Sequence, residues 1–178
     1  MKDQLKKLVL SAMFIAIGLV LPFVTGQVPE IGNMLLPMHI PVMLSGLVCG
    51  WQYGAAVGFI TPLLRSFIFG KPFLFPNAFA MAFELAAYGL VIGLVFLLLK
   101  KKGIISLYIS LLTSMLAGRA VWGAVMWLIL VGGDGFTLAA FVSGAFTTAI
   151  PGIILQLVLI PAIMMILKRA RLVNFGDK

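Results

Sequence analysis

Positive charge in this chain is gathered into three short clusters, and the sequence between them is almost unbroken apolar residues. Lys2, Lys6 and Lys7 open the chain, Lys100, Lys101 and Lys102 follow its midpoint, and Lys168, Arg169, Arg171 and Lys178 close it. With 62% of residues hydrophobic and 10% charged, the long runs have only lipid, or one another, to be solvated by. A helix satisfies its backbone hydrogen bonds internally, as hydrocarbon demands. The pattern reads as an all-α integral membrane protein. Basic residues near span ends stay cytoplasmic, so both termini and the lysine triplet are expected in the cytoplasm. That requires an even number of spans on each side of the triplet.

A span needs roughly 20 apolar residues. Six segments answer to this: 5–24, 36–50, 53–69, 76–99, 104–131 and 138–167, in one membrane domain covering residues 1–178. Four precede the lysine triplet and two follow it, which satisfies the charge rule. The outward loops are then 25–35, 70–75 and 132–137. Of the 13 Lys and Arg residues, ten lie in the three clusters, Lys71 lies outside, and Arg65 and Arg119 fall within spans. Spans two and three are short, with Trp51 and Gln52 as the expected turn. They read as two helices, with a re-entrant hairpin as the alternative. Pro151 and Pro161 are expected to kink the sixth span.

This layout excludes several functions. Nearly all of the 178 residues are needed for spans, which leaves no room for a soluble catalytic domain. One Cys and one His supply neither a disulfide framework nor a multi-ligand zinc site, and no metal or cofactor is expected. A phosphate loop of the GxxxxGK[ST] type is absent, so ATP hydrolysis belongs to other chains. The net charge of +8 reflects topology and contact with anionic lipid, with no nucleic-acid partner expected. The basic start and first apolar run resemble a signal peptide, but the run is long and lacks a small-residue cleavage site. It reads as a retained span.

Function is therefore carried by the few polar groups in the membrane. An ionisable group at helix centre costs about 2.5–3.5 kcal/mol on insertion scales, so it faces a cavity or a partner. Glu84 lies about 12 Å, and Arg119 about 18 Å, from the outer ends of spans four and five at 1.5 Å per residue. Asn77, Met81, Glu84 and Tyr88 share one helix face. Arg119, Trp122, Gly123 and Met126 form a similar stripe. These stripes read as the lining of a ligand pocket in the outer half of the bundle. The alternative is a Glu84–Arg119 ion pair that only locks two helices. Asn33 and His39, at the entry to span two, Arg65 near the outer end of span three, and Thr147 beside Thr148 in span six are further candidates. For Arg65 the bland reading is snorkelling to the headgroups. Gly70, Lys71, Pro72 and Pro76 form a stiff outer connection suited to a lid.

In the first span, Ala12 and Ala16 lie four residues apart on one face, a spacing that allows close approach of membrane helices. With that pair, the chain resembles the substrate-binding S components of energy-coupling-factor (ECF) vitamin transporters. The resemblance spans essentially the whole chain. It is carried also by Leu36-Pro37-Met38-His39-Ile40-Pro41-Val42, by Glu84-Leu85-Ala86-Ala87-Tyr88-Gly89 and by Gly118-Arg119-Ala120-Val121-Trp122-Gly123. It implies a bacterial plasma-membrane protein that binds a micronutrient from outside and topples in the bilayer to release it inward. It further implies a membrane scaffold (T) subunit gripping Ala12 and Ala16, and two ATPase (A) subunits that power the cycle.

Two other classes compete: a small intramembrane enzyme, and a channel or scaffold protein. The first lacks a visible acid–base or nucleophile constellation. As to the solute, an available arginine favours a carboxylate such as pantothenate. A pocket of Glu84, Asn77 and His39 suits a vitamin B6 form or hydroxymethylpyrimidine.

Overall fold

The computed structural model describes residues 2–24, 35–99, 103–130, 137, 143, 149–170 and 173. Six helices are formed among them: α1 (Lys2–Val24), α2 (His39–Val48), α3 (Trp51–Phe69), α4 (Phe79–Leu98), α5 (Ile104–Leu130) and α6 (Ile150–Arg169). A single wide, π-type turn, Leu74–Ala78, leads into α4. The segments Asp3–Val24, Leu74–Leu98, Ile104–Leu130 and Ile150–Arg169 are long and apolar enough to cross a membrane. Large apolar side chains such as Leu8, Phe67, Ile105, Leu116 and Val158 point outward, which suits a protein whose surroundings are hydrocarbon.

The second and third expected spans need correction. In place of 36–50 stands a helix of ten residues, about 15 Å long at 1.5 Å per residue. That is half of a hydrocarbon core roughly 30 Å thick, so α2 does not span it alone. Its start is delayed because Leu36 takes a left-handed conformation (φ 49°) and Pro37 lies in the following turn. The Leu36 carbonyl instead accepts the His39 N–H at 3.1 Å. Pro41 fits in the first helical turn, where its missing N–H costs nothing. The chain reverses at Cys49 and Gly50, with Gly50 at φ 104°, so Trp51 and Gln52 form the first turn of α3 rather than the connection. With 19 residues α3 has the length of a span, though it is not among the four segments named above.

Short as it is, α2 is the centre of the molecule. Every residue from His39 to Leu47 is buried, and the helix touches α1, α3, α4 and α6. α4 is the other hub, packed on α2, α3 and α5. Apolar burial contributes little between helices already in lipid, so close packing must hold them. Glycine supplies the closeness. A Cβ on Gly89 of α4 would overlap the backbone of Gly54 in α3, and one on Gly58 would overlap the backbone at Leu85. On α5 the small residues Ser106, Ser110, Ser114 and Gly118 recur every fourth position, all buried, against α4. Their hydroxyls do not need partners elsewhere: Ser110 donates to Ser106 O and Ser114 to Leu111 O, both at 2.8 Å. Side-chain bonding to the helix's own backbone is the usual fate of such groups.

Candidate substrate-binding site

α4 carries Glu84 into the gap between α2 and α5, and charged and polar groups from all three helices converge there. Arg119 of α5 donates from Nη1 to Glu84 Oε1 at 2.9 Å. His39 Nε2, at the first residue of α2, lies 3.5 Å from the same oxygen. One turn along α4, Tyr88 packs edge-on against the His39 ring, with centroids 4.9 Å apart. All four residues are buried. Gly118 is what admits Tyr88: a Cβ there would overlap the phenol ring.

The cluster is held firmly on one side and left open in its hydrogen bonding on the other. Arg119 Nε and Nη2 and His39 Nδ1 are buried and complete no hydrogen bond of good geometry among the described residues, with the Tyr88 hydroxyl beside the guanidinium and the Leu36 carbonyl beside the imidazole. Nε and Nη2 form one edge of the guanidinium, the planar two-donor fork that receives a carboxylate or paired acceptors. Glu84, bound at Nη1, fixes the orientation of that edge. Buried polar groups in folded proteins are nearly always paired, and unpaired ones call for an explanation. Among the described residues no three His, Cys, Asp or Glu side chains gather as a metal site.

Of the residues expected to line a pocket, His39, Glu84, Tyr88 and Arg119 are thus brought together. Met81 is half-buried against the core, and Trp122 and Met126 are half-buried further along α5. Asn77 is exposed on the wide turn before α4. The chain kinks just before it, at Phe75, which is extended (φ −124°, ψ 133°), as a residue preceding proline prefers. Arg65 lies elsewhere. It donates to Leu19 O of α1 and stacks on Phe23 and Phe69, 4.7 and 5.5 Å from their ring centroids. Asn33, Thr147 and Thr148 lie outside the described residues. Sequence reasoning passed over Gln156, a fully buried amide on α6; the available signal was one amide within an apolar helix.

The family model for the ECF transporter substrate-specific component matches residues 6–164. The chain belongs to this family. It is a substrate-specific subunit of a membrane transport system, and the converging cluster is to be read in that light. The solved structure of the S component of a bacterial ECF transporter is similar in fold, with a TM-score of 0.64. The match is 22% identical and covers 94% of this chain and 96% of that one. No curated protein matches the chain.

Proposed function

We propose that this subunit binds a small water-soluble vitamin or vitamin precursor on the outer side of a bacterial plasma membrane and passes it inward. Pantothenate, a vitamin B6 form and hydroxymethylpyrimidine are the candidate solutes. The reading is carried by one observation: Glu84 clamps Arg119 through Nη1 and leaves its Nε/Nη2 edge buried and unpartnered. A pair serving only to join α4 and α5 gains nothing from a second, unpaired edge. A solute with paired acceptors completes it.

In this reading both termini and the lysine triplet face the cytoplasm, which the clustering of basic residues supports. The solute is released by toppling of the subunit, gripped by a membrane scaffold subunit and driven by two ATPase subunits. Support for the grip comes from α1, where Ala12 and Ala16 are both exposed. A thermal-shift screen of the purified protein against pantothenate, pyridoxine and hydroxymethylpyrimidine tests the proposal. Stoichiometric stabilisation by one of them is expected, and no response to any of the three would count against it.

A further inference from the structure

We propose that Gln156 is a second contact to the transported solute, and that the solute presents to it an N–H donor beside an acceptor. The inference rests on the binding role proposed above for the Arg119 cluster. Gln156 has no exposed surface, and neither Nε2 nor Oε1 has a partner among the described residues. Buried hydroxyls elsewhere close onto their own helix, as Thr61 does on Val57 O and Ser110 on Ser106 O. Gln156 does not. An amide left unpaired in an apolar interior is costly, and a Leu at this position would remove that cost.

The position is telling. α6 packs on α2 and α5, the helices that carry His39 and Arg119. Counting from the helix ends beside the basic clusters, Gln156 lies 13 residues from Arg169, Glu84 14 from Leu98 and Arg119 15 from Ile104. At 1.5 Å per residue these depths are about 20, 21 and 22 Å. By this count the amide lies within about one to two turns of the depth of the Glu84–Arg119 pair. The chemistry differs from that of the pair. Arg119 only donates, whereas a carboxamide sets a donor and an acceptor side by side. It matches a primary amide, or the amino-and-ring-nitrogen edge of an aminopyrimidine, as glutamine does with adenine. Hydroxymethylpyrimidine carries the second; the trans secondary amide of pantothenate points its N–H and C=O in opposite directions, so neither of its edges offers the pair. Pyridoxine has neither.

The test measures affinity for pantothenate, hydroxymethylpyrimidine and pyridoxine by calorimetry, with ligand-free melting temperatures, on wild type, Gln156→Leu, Gln156→Met and Arg119→Ala. Wild type is expected to prefer hydroxymethylpyrimidine to pantothenate and pyridoxine. Gln156→Leu and Gln156→Met should each weaken binding about 10- to 100-fold, the usual effect of losing a buried hydrogen bond, without lowering the ligand-free melting temperature. Unchanged affinity in both variants, alongside loss in Arg119→Ala, overturns the inference and leaves the function standing. So does a lowered melting temperature in both, which would mark a structural bond. A preference for pyridoxine or pantothenate overturns the donor–acceptor chemistry. If wild type binds none of the three, the proposed function fails and the inference falls with it.

Discussion

Glu84 is the residue on which the site turns, since one of its oxygens meets both Arg119 and His39. Removing either member of its pair with Arg119 strands a buried charge, a change that costs about 3–5 kcal/mol. In Arg119→Ala the solute loses its fork as well as the fold losing a partner, so both melting temperature and affinity should drop. The paired change Glu84→Gln with Arg119→Met leaves no stranded charge. It should recover most of the lost stability and none of the affinity, as measured by thermal melting and calorimetry. A double variant that binds as tightly as wild type would reduce the pair to a helix lock. Gly118→Ala tests the support beneath: forcing a methyl into the Tyr88 ring should cost about 1–3 kcal/mol of stability and weaken binding. The pairing of Glu84 with Arg119 was legible in the sequence. The two stand nearly equidistant from the turn between α4 and α5, and charge within a span demands a partner. The diversion of Arg65 to Leu19 O, Phe23 and Phe69 was not legible, because it depends on how α1 lies against α3.

At the scale of elements, the long apolar helices α1, α4 and α5 followed from apolar length and the lysine clusters. The division of 36–69 did not. A ten-residue buried helix and a short span have the same composition, and they are separated only by backbone conformation at Leu36 and Gly50. The four-residue recurrence of Ser106, Ser110, Ser114 and Gly118 was passed over in the sequence, where nothing marks which helix it meets. The crossing of α3 and α4 is the most demanding contact, since Gly89 meets backbone rather than a movable side chain. Gly89→Ala should therefore lower the melting temperature markedly, with an overpacking cost of about 1–3 kcal/mol or more. Gly103→Ala, at a position with open space around it, serves as the control and should melt close to wild type.

For the molecule as a whole, binding and transport should be separable. The face of α1 bearing Ala12 and Ala16 is exposed and distant in the chain from the cluster residues. Ala12→Trp or Ala16→Trp should leave the affinity of the isolated subunit nearly intact and sharply reduce uptake by cells that carry the whole complex, because close helix approach is lost. Equal loss of affinity in the isolated subunit would assign that face to the binding fold. The central claim is that this chain, by itself, is a solute-binding subunit whose ligand is held by the free edge of Arg119. Equilibrium calorimetry of the purified protein with pantothenate, pyridoxine and hydroxymethylpyrimidine, in wild type and in the Glu84→Gln, Arg119→Met double variant, tests it most directly. One-to-one binding of one of the three in wild type, weakened by about 2–5 kcal/mol in the double variant while its melting temperature is kept, is the predicted result. Tight binding that survives in the double variant, or none in wild type, would contradict it.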